Sequence, residues 1–204
     1  MNGRFANSDG FDVTVRATSR FVIQLPRTVI STRPTTVIQS LRDAAITAEF
    51  VLIAGGGTAF FVFARVLFNR VPGFSDHPRF DAGEIVGPLI YISNFVNLIF
   101  GVTILFATLA RQTELNISQK VNRAVGAVSL LILLIALIER FYLIPEITNL
   151  RTAVGRSGFD DGVTSPERSR FGMLHGINNL TQMATVILAW AGIFLERAVR
   201  KTRP

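Results

Sequence analysis

The chain has no cysteine, which excludes disulfides, thiolate metal sites and cysteine nucleophiles and leaves its redox compartment undetermined. Histidine is nearly as scarce, with His77 and His175 the only two. No Gly-x-Ser-x-Gly, His-Glu-x-x-His, Walker or dinucleotide fingerprint occurs, so neither an enzyme nor a cofactor is expected. Charged residues make up 17% of the 204, and they are missing altogether from long tracts. The basic ones are scattered and not interleaved with stacking aromatics, which argues against a nucleic-acid partner despite the net charge of +7.

Where charge is missing, apolar residues take over. Four stretches stand out: Phe50–Ala64, Ile85–Ala110, Ala124–Ile144 and Phe171–Leu195. The second and fourth carry no Asp, Glu, Lys or Arg, and each exceeds the roughly 20 residues that a helix needs to cross a hydrocarbon core. The first reaches that length by including Glu49 and Arg65, and the third by including Glu139 and Arg140. The expected fold is therefore all-α: a polytopic membrane protein, a four-transmembrane-helix bundle over residues 44–200. Its spans fall at about 44–68, 85–110, 122–144 and 171–195, behind an N-terminal polar arm, residues 1–43.

Basic residues fall unequally on the two sides of these spans. The arm, the 111–123 loop and the carboxyl tail hold 13 Lys/Arg, against eight Arg on the other side. Basic short loops stay in the cytoplasm, so both termini are expected there or on the equivalent side, in a bacterial inner membrane or an organellar one. The lipid bilayer, with its anionic headgroups, is thus the first expected partner. Residues 145–170 read as the longest connection; its stretch 155–170 reads as solvent-exposed and mobile, with Ser165-Pro166-Glu167 starting a short helix ahead of the fourth span. Gly55-Gly56-Gly57 in the first span allow a neighbouring helix to approach closely.

Polar residues inside the spans are the candidate site. His175, Asn178, Asn179 and Gln182 recur at helical spacing on one face of the fourth span, and Asn94 and Asn97 do so on the second. Amides facing lipid are costly, so the two stripes are expected to face each other or a polar cavity. Arg65 and Glu139, near the outer ends of their helices, are expected to pair, because an unpaired charge at that depth is expensive. His77 and His175 are the candidate metal ligands, or haem ligands, with carboxylates at similar height. A solvated His77 in a loop and a hydrogen-bonded His175 opening a helix are the ordinary explanations, and no metal is expected.

The run Phe171-Gly-Met-Leu-His-Gly-Ile-Asn-Asn-Leu-Thr-Gln182 resembles the opening of the last helix in the TMEM205-like (DUF4149) family of four-span membrane proteins. Phe61 and Phe63 ahead of Pro72, Ala82-Gly83, and the close of the third span from Glu139 to Arg151 agree with the same pattern. Asn178 stands where the family usually has Ser, and Gln182 where it has Asn. The resemblance implies a fold and a location but no established activity, although transport or tolerance of small molecules is suggested for some members.

Two functional readings follow. The first is a non-catalytic accessory or scaffolding subunit that meets partner membrane subunits through residues 1–43, because ordering so long a polar arm costs on the order of 1 to 2 kcal/mol per residue and needs an outside surface. The alternative is binding or transport of a small molecule or metal ion along the polar face between the second and fourth spans.

Overall fold

The computed structural model describes residues 37–70, 78–113, 118–160 and 165–201. Most of the polar arm, together with His77, lies outside them. Among the described residues every regular element is helical: α1 (Val37–Arg70), α2 (Pro78–Ala110), α3 (Gln119–Ile138), α4 (Ile144–Asp160) and α5 (Pro166–Lys201). A 3₁₀ turn, Arg111–Thr113, ends α2, and a π-helical turn, Glu139–Leu143, joins α3 to α4. Four helices are long and apolar enough to cross a membrane: α1, α2, α3 continued through the π-turn into α4, and α5. The chain is an integral membrane protein built as a four-helix bundle.

Its outside and inside are reversed relative to a water-soluble bundle. Phe95, Phe106, Phe141, Leu180, Trp190 and Phe194 are exposed, whereas Asn94, Arg111, Glu139, Asn178 and Glu196 are buried. Apolar side chains toward lipid and polar ones toward protein is the arrangement that a hydrocarbon solvent selects. With 34 residues in α1 and 36 in α5, these helices are about 50 Å long, so they project past a 30 Å hydrocarbon core or tilt within it.

The helices form a ring in which α1 packs on α2 and α5, and α3 packs on α2 and α5. α2 and α5 are therefore diagonal, and so are α1 and α3. One buried cluster, including Ile46, Phe50, Ile53, Ile104, Val125, Ile132 and Ala189, runs through the ring. Close approach depends on a few small residues. Gly192 lies under the Phe50 ring, where a Cβ would come 2.5 Å from Cε1, and Gly57 lies against Val186. Gly55 and Gly56 have open space where a Cβ would stand, so only the last of the three consecutive glycines serves helix packing.

Residues 145–160, expected to belong to a connection that is mobile from residue 155 on, are helical. Pro145 has no N–H and would clash with the carbonyl four residues earlier in an α-helix, and the wider π-turn immediately before it relieves that conflict. The Ile144 N–H donates to the Glu139 carbonyl, five residues back. Beyond it, Leu143 and Leu150 pack with Leu174 of α5, which gives the polar-looking segment an apolar face to bury. α4 bends at Gly155, whose φ of 69° is a conformation that glycine adopts readily. Ser165 does not open a separate helix: its Oγ accepts the Arg168 N–H at 3.1 Å and caps α5 itself, with Pro166 at the first helical position.

Candidate functional site

Two buried polar clusters lie at opposite ends of the bundle. At the end where α1 begins and α5 finishes, Arg111 is fully buried between two carboxylates. Its Nη1 and Nη2 donate to Glu196 Oε1 and Oε2 at 2.6 and 2.8 Å, a bidentate fork, and its Nε donates to Asp43 Oδ1 at 3.1 Å. Arg200 closes the group by donating to the Asp43 carbonyl at 2.7 Å and to Thr47 Oγ1 at 2.6 Å. Burial works against the Arg111 charge, but Glu196 and Asp43 outweigh it and hold its pKa above the ordinary guanidinium value. The cluster ties together α1, α2 and α5. Sequence reasoning missed it, since Asp43, Arg111 and Glu196 all stand at span boundaries and read as solvated loop charges.

The second cluster surrounds Glu139 on the π-turn. Glu139 is fully buried, and only neutral donors reach its carboxylate among the described residues. Asn94 Nδ2 of α2 donates to Oε2 at 3.0 Å, Gln182 Nε2 of α5 to Oε2 at 2.7 Å, and Thr181 Oγ1 to Oε1 at 2.5 Å. Asn94 also donates to the Ala136 carbonyl at 3.0 Å. The two amide stripes thus converge as their depth suggested, but through an intervening carboxylate: α2 and α5 are diagonal, and the π-turn places Glu139 between them.

The six face residues have different fates. Asn94, Asn178 and Gln182 are buried around Glu139 or one helical turn from it, and Thr181, which the sequence did not single out, completes the group. His175 is half-buried and stacks on Phe171 with 5.6 Å between ring centres. Asn97 borders a smaller groove between α1 and α2, and Asn179 is exposed. The expected Arg65–Glu139 pair is not formed. Arg65 is exposed on α1, which does not pack on α3 or the π-turn, so the two side chains have no shared surface.

Above Glu139 a cavity of about 830 Å³ opens between α2, α4 and α5. Phe80, Tyr91, Phe159 and Phe171 are among its walls, and His175, Asn178 and Arg151 are among its polar lining. Arg151 lies against Gly83 and Gly87, and its Nη2 donates to the Phe80 carbonyl at 2.8 Å while the guanidinium stands 4.5 Å over the Phe80 ring. Arg140 covers the Tyr91 ring at 3.8 Å. No group of three or more His, Asp and Glu capable of holding a metal occurs among the described residues.

Residues 50–155 match the family described as "Domain of unknown function (DUF4149)". The chain belongs to the DUF4149 family. The matched stretch of this DUF4149 protein contains Asn94, Arg111, Glu139 and Arg151, while Asp43 and the α5 partners Gln182 and Glu196 lie beyond it. No curated protein matches the chain, and no solved structure does.

Proposed function

We propose that this DUF4149 protein is a non-catalytic binding protein for a small amphipathic molecule, held in the cavity between α2, α4 and α5. The cavity carries the proposal. Its volume lies within the range of small-molecule sites, its walls are aromatic, and its few polar groups converge from three helices. Arg151 donates one of its five N–H groups to the Phe80 carbonyl and stands 3.8 Å from the Glu84 carboxylate, so a hydrogen-bond-accepting end of the ligand would meet its remaining donors, with the apolar body lying against the packed Phe159 and Phe171 rings. Transport would extend the same path toward Asn94 and Gln182. Native mass spectrometry of the full chain, released from lipid nanodiscs, is expected to show a retained small-molecule adduct distinct from bilayer lipid. A bare protein mass after gentle extraction from its native membrane would overturn the binding reading.

The accessory-subunit reading rests on the arm, whose residues 1–36 lie outside the described structure, and it would make that arm a second, independent contact. The narrower TMEM205-like kinship rests on the run from Phe171 to Gln182, which falls outside the matched residues, and on the landmarks at Phe61, Phe63, Ala82-Gly83 and the stretch from Glu139 to Arg151, which fall inside them.

For orientation, we propose that the Arg111 end faces the cytoplasm or its equivalent, on the 13-to-8 distribution of basic residues. The start of α1 and the end of α5 share that end through the Arg200–Asp43 bond. Because the chain has no cysteine, a single Ala153→Cys on α4 gives a clean probe. Labelling of intact cells by a membrane-impermeant maleimide is expected, and labelling only after the membrane is opened would reverse the orientation.

A further inference from the structure

Glu139 is short of positive charge. Three neutral donors occupy three of the four lone-pair positions of its carboxylate, and no cationic side chain among the described residues is bonded to it. Thr181 has a single hydroxyl hydrogen, yet its Oγ1 lies 2.5 Å from Glu139 Oε1 and 2.9 Å from the Asn178 carbonyl. Asn94 Oδ1 and Asn178 Oδ1 are buried and accept no hydrogen bond from any described protein donor. The amide of Asn94 is oriented by its two donated bonds, so its oxygen is the atom left over. Oxygen acceptors therefore outnumber donors around a carboxylate wholly removed from water, an arrangement that is costly unless a cation completes it.

We propose that Glu139, with Asn94, Asn178 and Thr181, is an intramembrane site for a hard monovalent cation, H⁺ or Na⁺. A proton on Oε1 makes Glu139 a donor to Thr181 Oγ1, releases the threonine hydrogen to the Asn178 carbonyl, and leaves Oε2 to accept both amide N–H groups. Na⁺ would be held by the same class of ligand, carboxylate and amide oxygens, which suit a hard cation. Asn178 both carries one of the unpaired oxygens and lines the cavity, which makes the cavity the entry path. The π-turn fits this role: it interrupts the α-helical ladder at the residue that carries the charge, as such turns frequently do at functional sites.

Titratable or charged groups nearest this depth on the surrounding elements are Glu84 and Tyr91 of α2, Arg140 and Tyr142 of the π-turn, Glu146 and Arg151 of α4, and His175 of α5; α3 carries none from Ala124 to Ile138. None of them bonds to Glu139. The test uses the full chain in nanodiscs, with thermal stability followed against pH and against Na⁺ at constant ionic strength made up with choline, in wild type and Glu139→Gln. Glutamine keeps an oxygen for the Asn94 and Gln182 N–H groups and cannot take up a proton or balance a cation. Wild type is expected to change its Tm with pH or Na⁺ by more than the variant. Hydrophobic carbodiimide, which reacts with protonated carboxyls in membranes, supplies a second readout on unmutated protein. Modification of Glu139 falling about tenfold for each pH unit once the proton is being lost, without protection by Na⁺, identifies H⁺. Protection by Na⁺ at fixed pH identifies Na⁺. The proposal is overturned if wild type and Glu139→Gln respond identically to pH and to Na⁺, whatever the pH dependence of Glu139 modification.

Discussion

Arg111→Leu is expected to destabilise the protein by about 3 to 5 kcal/mol, the largest effect of any single substitution proposed, because it takes the bidentate cation from the fully buried Glu196 and leaves Asp43 with the more distant Arg42 at 3.7 Å. Asp43 and Glu196 approach Arg111 from different helices, and Glu196 is as fully buried as Arg111 itself. Charge alone is not what the site uses. Arg111→Lys retains it but cannot reproduce the fork that reaches both Glu196 oxygens while Nε reaches Asp43, so it should recover only part of the loss. The triple variant Asp43→Asn, Arg111→Met, Glu196→Gln removes the three central charges together, leaving Arg42 and Arg200 at the rim, and should be more stable than Arg111→Leu. Denaturation in mild detergent followed by circular dichroism compares the three, and an Arg111→Leu protein as stable as wild type would show that the cluster contributes nothing.

The second large effect is steric. A Cβ at Gly192 would stand 2.5 to 2.7 Å from three atoms of the Phe50 ring, and Phe50 is completely buried, with no free space to turn into. Gly192→Ala should therefore cost about 1 to 3 kcal/mol, even though alanine is the better helix former in isolation. Phe50→Leu alone leaves a void and is also expected to destabilise. Combined, the smaller side chain makes room for the added methyl, so the double variant should be more stable than the sum of the two losses predicts. Strict additivity would mean that α1 and α5 do not meet at this contact.

Much of this fold could be read from the sequence because hydrocarbon imposes a simple rule: about 20 apolar residues make one span. The four helices follow from it, and so does the convergence of Asn94 and Gln182, which lie at the same depth. Partner choice was not legible. Pairing Arg65 with Glu139 treated opposite charges at one height as neighbours, but height does not say which helices are diagonal, and α1 and α3 are. The helical character of residues 145–160 was hidden for a different reason. Pro145 is ordinarily a helix breaker, and only the preceding π-turn, together with Leu150 packed near Leu174, makes the continuation possible. Asp43, Arg111 and Glu196 gave no signal, since charges at span ends are most often solvated, and their encounter depends on the bundle's closure.

The central claim, that the cavity between α2, α4 and α5 holds a ligand, is tested most directly by filling it. Thr148 lines the cavity and is exposed, so Thr148→Trp adds bulk there without disturbing the buried core. Native mass spectrometry of wild type and Thr148→Trp, prepared identically and accompanied by melting curves, should show the small-molecule adduct in the first only, with the variant still folded. An adduct retained at the same occupancy by a folded Thr148→Trp protein would contradict the claim.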